Sequence, residues 1–232
     1  MILFFKYLCY YVFRKDNFNY VIFHYENGGA EMKKTLYLMR HGQTLFNLQH
    51  KIQGWCDAPL TPLGIKQAEV AGQYFKDHHI TFDHAYSSTS ERASDTLEIV
   101  TDGKMPYTRQ KNLKEWNFGS FEGKDEFLNP KFPYGDFFVQ FGGEGEKEFQ
   151  DRISKALLEI MQKEDHQVVL VAAHGAVCGS FMRKWLATSK VAYKSGIGNC
   201  AIYKYEFEDD IFTCVEIIKH DFSHLLNEVV GK

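Results

Sequence analysis

The residues able to do chemistry cluster in a few short segments: Arg40-His41-Gly42, Arg92, Glu115 and His174-Gly175. The first follows the apolar run Leu36-Tyr37-Leu38-Met39, so a buried strand delivers a guanidinium and an imidazole to the turn at its carboxyl end. Open α/β sheets bind ligands at that edge. Phosphoryl transfer from a monoester spreads charge over three equatorial oxygens and needs an in-line nucleophile. Arg40 and Arg92 offer planar forked donors matched to phosphate, Asn47 offers a neutral one, and His174 can complete the cage. Guanidinium charge beside an imidazole lowers its pKa and keeps a lone pair free near pH 7, which suits His41 to attack. The product is a phosphohistidine that water later hydrolyses. An alkoxide leaves poorly, so a carboxyl held protonated must stand near the leaving oxygen. Glu115 is the candidate, with Glu122 a competing carboxylate in the same segment. A lone Arg-His-Gly tripeptide is weak evidence, since a strand-end His is more often a hydrogen-bonded structural residue.

The elements that must position these groups follow from periodicity. From Lys33 onward, strand-like and helix-like segments alternate, the pattern of βαβ units. Spacing predicts a strand over 34–39, then a helix capped by Thr61 with Pro62 at its first position and ending near His78-His79. A strand over 82–86 and a helix from Ser88 or Thr89 to Val100 come next, with a short strand over 104–108. A long amphipathic helix begins near Glu146 and a continuous apolar strand covers 167–172. A helix over 176–187 and an antiparallel pair, 201–207 with 212–219 around Asp209-Asp210, complete the chain. Gly142-Gly143-Glu144-Gly145 lacks a preceding strand and a following Gly-Lys-Ser/Thr, so it reads as a turn and not as a nucleotide loop. The aromatic group Phe127, Phe132, Tyr134, Phe137, Phe138 and Phe141 is either a loop packed on the core or a lid over an apolar pocket.

The chain has 232 residues and a formal charge of -3, which gives no general attraction to nucleic acid or to an anionic membrane. Five scattered cysteines without a C-x-x-C spacing argue against a disulfide framework or zinc knuckle and read as reduced thiols of the cytoplasm. Residues 1–31 form a leader or extension, and residues 32–232 form the single domain. Met1 to Phe23 is too short and too interrupted to favour a membrane span. Gly28-Gly29-Ala30-Glu31-Met32 can be encoded by a purine-rich ribosome-binding site spaced before a start codon, which makes Met32 a natural bacterial-type start.

Four blocks stand in a fixed order. They are Arg40-His41-Gly42 with Asn47, Gln53-Gly54, Asp57, Pro59-Leu60-Thr61 and Gly64; then Tyr86-Ser87-Ser88 with Glu91-Arg92-Ala93. Leu113-Lys114-Glu115 with Phe118-Gly119 and Glu122-Gly123 follows, and Val168 to Val171 with His174-Gly175 closes the series. Over roughly residues 33 to 207 the chain resembles the histidine phosphatase superfamily, which also contains the cofactor-dependent phosphoglycerate mutases. The resemblance implies an α/β three-layer sandwich, a mostly parallel doubly wound sheet flanked by helices. It implies His41 as nucleophile, His174 as phosphate ligand and transition-state stabiliser, and Glu115 as general acid that later activates water. Arg40 and Arg92 serve catalysis and, with Asn47, Gln53, Gly54 and Gly175, substrate binding; no metal or other cofactor is implied. The partner is a small-molecule phosphomonoester, and nothing in the sequence bears on oligomeric state.

Mutases of this family place a basic residue directly after the acid and carry an Arg/Lys-rich insertion. Here Trp116 follows Glu115, and the insertion from Lys124 to Glu148 holds three Lys and no Arg. This departure favours phosphomonoester hydrolysis over mutase chemistry. A non-catalytic phosphate-binding protein is disfavoured, because nucleophile, acid and both arginines are all present.

Overall fold

The computed structural model describes residues 10–15, 18–23, 33–193 and 196–225. The chain divides into two units, residues 1–32 and 33–232. In the first, β1 (Tyr10–Lys15) and β2 (Phe18–Phe23) pair antiparallel, with Tyr10 opposite Phe23 and Lys15 opposite Phe18. No strand is expected there from the sequence pattern, although the density of aromatic and β-branched residues is strand-like.

The second unit is built on β3 (Lys34–Arg40), β4 (His84–Ser88), β5 (Thr108–Gln110), β6 (Val168–Ala173), β7 (Ile202–Glu208) and β8 (Ile211–Ile218). Its helices are α1 (Leu45–Leu48), α2 (Pro62–Asp77), α3 (Glu91–Val100), α4 (Glu146–Met161) and α5 (Gly175–Lys184). The strands form one mixed sheet in the order β5-β4-β6-β3-β7-β8. The first four run parallel, and β7 and β8 add antiparallel at the β3 side. Asp209 and Asp210, with φ of 50° and 60°, make the tight turn that joins them.

Period-two alternation explains the layers. In β3, Leu36 and Leu38 enter a core cluster with Phe149, Ile153 and Phe181 of α4 and α5. Tyr37 and Met39 enter a second cluster with Ala68, Phe75 and Leu97 of α2 and α3. The central strands are therefore buried on both faces, which is why they read as unbroken apolar runs.

The helix starts set the loops that carry function. Thr61 accepts the Gly64 N–H through Oγ1 at 3.0 Å, and Pro62 occupies the first helical position. A Cβ on Gly64 would sit 2.0 Å from Gln43 O, and one on Gly42 would sit 2.4 Å from Gly64 O. Two glycines thus let the start of α2 press against the turn that follows His41.

Several boundaries differ from the sequence reading, among them the end of α5, which stops at Lys184 and not at residue 187. β4 begins at His84, because Phe82 fills the second core from the loop before it, its ring 4.9 Å from Phe75 and 5.7 Å from Tyr37. β5 begins at Thr108, and the apolar residues Met105 and Tyr107 that suggest an earlier strand pack against that core from a loop. α3 begins at Glu91 after Ser90, as β4 runs on through Ser88. No helix among the described residues is long and apolar enough to cross a membrane.

Candidate active site

The parallel neighbours β3 and β6 end side by side, and the His41 N–H donates to Ala173 O at 3.0 Å. His41 Nδ1 lies 2.7 Å from Gly42 O. A carbonyl oxygen only accepts, so Nδ1 carries the proton and Nε2 keeps its lone pair. Burial, then the charges of Arg92 and Arg40, hold the imidazole pKa well below its ordinary value; the Gly42 carbonyl opposes them. His174 precedes α5, is fully buried, and has no hydrogen-bond partner on either ring nitrogen. Its ring centroid is 5.4 Å from that of His41, and burial followed by Arg92 keeps it neutral too. Buried polar atoms without partners are rare and mark a place for something else to bind.

Arg40 donates through Nη1 to Ile197 O at 2.8 Å and leaves Nε buried without a partner. A Cβ on Gly175 would stand 3.3 Å from that nitrogen, so glycine there permits the close approach. Asn47 Oδ1 accepts from the Thr44 N–H at 3.2 Å and from Asn199 Nδ2 at 3.1 Å. Gln53 Oε1 accepts from Thr44 Oγ1 at 2.7 Å, and its buried Nε2 has no partner. Arg40, His41, Asn47, Gln53, Glu115 and Gly175 share one cavity of about 280 Å³.

His174 stands directly behind that lining, its ring beside that of His41, while Arg92 and Gly54 are engaged with the 54–57 loop. Arg92 is fully buried and gives Nη1 to Cys56 O and Asp57 Oδ1, at 2.9 and 2.8 Å, and Nη2 to Gly54 O at 2.8 Å. Its fork therefore grips the 54–57 loop, and Nε alone is without a partner. Gly54 has neither backbone group free: its N–H donates to Glu122 and its carbonyl accepts from Arg92. The Arg92 fork and both backbone groups of Gly54 thus make loop-holding bonds in this structure.

Glu115 and Glu122 have separated environments. Glu115 is 6% exposed, with Oε1 accepting the Trp116 N–H at 2.9 Å and Oε2 the Ala176 N–H at 2.8 Å. Burial raises its pKa against those two bonds and both arginines. Glu122 accepts N–H groups from Gly54, Trp55, Cys56 and Phe118 at 2.9, 2.8, 3.2 and 3.0 Å. It organises two loops around a fixed anion.

Trp116 points the opposite way from Glu115. It is 1% exposed, donates Nε1 to Glu144 O at 2.7 Å and stacks on Phe149 at 4.9 Å. Trp116 is a core residue, so this position supplies the cavity with no cation and no aromatic wall. The aromatic segment divides likewise: Phe138 is fully buried among Trp116, Phe118 and Phe121, whereas Phe127 is 81% exposed.

Arg152 and Asn199 hold residues of the candidate site, and no sequence motif singles them out. Arg152 grips both Glu144 oxygens at 2.7 Å and the carbonyls of Asn112, Lys114 and Glu115 at 2.9, 2.9 and 3.1 Å, fixing the backbone of the acid. An arginine beside Phe149 and Ile153 on the buried stripe of α4 is the available signal, since a charge there must be paired. Asn199 donates to both His41 O and Asn47 Oδ1 at 3.1 Å. Among the described residues, His84, Asp165 and His166 gather ligand-type atoms at the amino ends of β4 and β6, the far end from the cavity. Asp165 already holds both imidazoles, at 3.0 and 2.7 Å.

Residues 36–219 match the family model of the histidine phosphatase superfamily, branch 1. The chain belongs to the histidine phosphatase superfamily. It is 29% identical over 175 residues to PhoE of Bacillus subtilis, an uncharacterized phosphatase, spanning 75% of this chain and 88% of that protein. It is 34% identical over 162 residues to the 2,3-bisphosphoglycerate-dependent phosphoglycerate mutase of Rhizobium etli, spanning 62% and 75%. The fold aligns with a phosphoglycerate mutase from Bacillus anthracis at a TM-score of 0.70 and 29% identity, over 79% of this chain and 92% of that one. It also aligns with the phosphoserine phosphatase of Entamoeba histolytica in complex with 3-phosphoglyceric acid, at 0.65 and 28%, over 81% and 98%. This superfamily chain therefore has phosphatases and mutases alike among its relatives.

Proposed function

We propose that residues 32–232 catalyse hydrolysis of a small phosphomonoester through a phosphohistidine on His41, with residues 1–31 a leader or extension outside the catalytic unit. The observation that carries this reading is the pairing, in one cavity, of an imidazole with a free Nε2 and a carboxyl whose pKa burial has raised. Nε2 attacks phosphorus in line with the leaving oxygen. Arg40 Nε, Gln53 Nε2, the Asn47 amide and His174 are donors for the equatorial oxygens, and Arg92 adds its positive field from behind. Glu115 gives its proton to the departing alkoxide; as a carboxylate it then takes one from the water that attacks the phosphohistidine. His41 is released as the neutral imidazole.

Hydrolysis is favoured over mutase chemistry because Trp116 lies in the core and leaves no cation beside the acid to hold a substrate carboxylate. The small cavity, just below the range of roughly 300–1,000 Å³ usual for ligand pockets, suits a compact alcohol. Phosphoserine, after which the Entamoeba phosphatase is named, is of that size. The free thiols of Cys56, Cys178, Cys200 and Cys214 suit a reducing cytoplasm. Purified protein given 3-phosphoglycerate with a trace of 2,3-bisphosphoglycerate should release inorganic phosphate and form little 2-phosphoglycerate. Interconversion of the monophosphates faster than phosphate release by orders of magnitude would make the chain a mutase.

A further inference from the structure

The turn that follows His41 is held from outside the cavity. His41 Nδ1 donates to Gly42 O at 2.7 Å, and that carbonyl belongs to the same peptide group as the Gln43 N–H. In a trans peptide the two point in opposite directions, so whatever holds the N–H aims the carbonyl. The Gln43 N–H donates to Gln67 Oε1 at 2.9 Å. Gln67 lies on α2, is 7% exposed, and is the polar member of a buried stripe otherwise made of Gly, Ala and Phe. The close approach of α2 to the turn, which Gly42 and Gly64 permit, brings it within reach. Other residues hold the preceding peptide group. The Gly42 N–H donates to Thr96 Oγ1 at 3.0 Å, the Thr96 hydroxyl proton goes to Arg92 O at 2.7 Å, and His41 O accepts from Asn199 Nδ2 at 3.1 Å. Each of the two peptide groups after His41 thus has a support of its own.

A neutral imidazole has two tautomers, and the one protonated at Nδ1 is the one that keeps a lone pair on Nε2. We propose that Gln67 is a positioning residue for phosphoryl transfer: by fixing the peptide group between Gly42 and Gln43, it keeps the proton of His41 on Nδ1 and the attacking lone pair on Nε2. That lone pair forms the N–P bond while the P–O bond to the alcohol breaks. The electron pair of the broken bond leaves on the alcohol oxygen, which takes the Glu115 proton, and Nδ1 keeps its own proton throughout. The ring gains positive charge as the N–P bond forms, so the Nδ1–H bond to Gly42 O becomes charge-assisted. An acceptor on the Gln43 N–H polarises the same amide and makes Gly42 O the better acceptor at that moment. The inference rests on the assignment of His41 as nucleophile. It adds a residue outside the cavity lining that acts through the backbone.

The test reads the tautomer directly, by nitrogen NMR of the histidine rings, with the His41 signals identified by their loss in His41→Ala. In the wild-type protein Nδ1 should be protonated and Nε2 bare. Gln67→Leu removes the acceptor at similar volume and should mix the two tautomers. It should also slow the burst of p-nitrophenol that reports phosphorylation by p-nitrophenyl phosphate about tenfold or more, since a catalytic imidazole in the wrong tautomer loses up to about 10⁴-fold. Gln67→Glu keeps an oxygen acceptor and should restore the single tautomer. Thr96→Val removes a buried bond from the neighbouring peptide group and should leave the tautomer as in the wild type. A wild-type ring protonated at Nε2 overturns the inference whether or not any variant folds. So does a single Nδ1-protonated ring in Gln67→Leu, whatever its activity, or mixing in Thr96→Val as large as in Gln67→Leu, which would report a general loosening of the turn. Absence of any burst or turnover in the wild-type protein would instead overturn the phosphatase reading, and the role of Gln67 in phosphoryl transfer with it.

Discussion

Glu115→Gln separates acid catalysis from every other role the carboxyl can play. A general acid contributes typically 10²- to 10⁴-fold, about 2.7–5.4 kcal/mol at about 1.36 kcal/mol per decade, and matters only where the leaving group needs a proton. The substitution has a second effect that the structure makes explicit. Both carboxyl oxygens accept backbone N–H groups, from Trp116 and Ala176, and the amide of Gln presents a donor to one of them. That mismatch costs about 1–3 kcal/mol of stability, a fall in Tm of roughly 2–4 °C per kcal/mol for a unit of this size. Activity must therefore be compared between substrates and below the variant's Tm. On ethyl phosphate kcat/KM should fall by at least 10²; on p-nitrophenyl phosphate, whose phenolate leaves unaided, it should fall by less than tenfold. The wild-type rate on ethyl phosphate should also decline on the alkaline side as Glu115 loses its proton, a limb absent in the variant. Equal losses on both substrates would show that Glu115 only shapes the site, and the acid would have to be sought elsewhere.

His41→Ala should abolish turnover and acid-labile phosphoryl labelling, whereas His174→Ala should keep a weak residue of both; normal labelling of the His41 variant sinks the nucleophile assignment. Chelation by EDTA should leave kcat unchanged, since the arginines of the proposed site supply the positive charge a metal would bring; activity lost and then restored by a divalent ion would point to a metal-dependent phosphohydrolase. His174 has a folded pKa well below 6.5, so the unfolded chain binds the extra proton first as pH falls. Its contribution to stability is complete above pH 6.5 and is lost progressively below, toward the folded pKa. Wild-type Tm should therefore drop more between pH 6.5 and 5 than that of His174→Asn, and identical slopes in calorimetry would contradict the buried neutral imidazole.

The parts of this molecule that periodicity can carry were readable from the chain. Leu36 to Met39 and Val168 to Val171 are apolar without interruption because both faces of their strands are covered, and each run ends at a catalytic-type His. Thr61-Pro62 announces its helix through cap chemistry alone. Apolar residues that reach the core from loops deceive the same reasoning: Phe82 and Tyr107 are packed yet lie outside β4 and β5. Trp116 deceives it differently, since adjacency to Glu115 in sequence suggests a shared site while neighbouring side chains leave the backbone in opposite directions. Bonds between a side chain and distant backbone have no sequence period at all. The grip of Arg92 on the 54–57 loop and of Arg152 on the acid's backbone emerge only in three dimensions.

The carboxylate of Glu122 reaches Arg92 without touching it. The peptide group between Gly54 and Trp55 gives its N–H to Glu122 and its carbonyl to Arg92. The next one, between Trp55 and Cys56, gives its N–H to Glu122 and its carbonyl to Lys114 Nζ at 3.5 Å. Two amide dipoles thus lie aligned between an anion on one side and cations on the other, each charge reinforcing the orientation the opposite charge demands. A guanidinium buried in the protein is stabilised by a carboxylate it never meets, with the loop backbone as conductor. Positions 92 and 122 are consequently coupled through the loop: loss of Glu122 frees both dipoles and loosens the Gly54 carbonyl that Arg92 holds, while the bonds of Arg92 to Cys56 O and Asp57 remain.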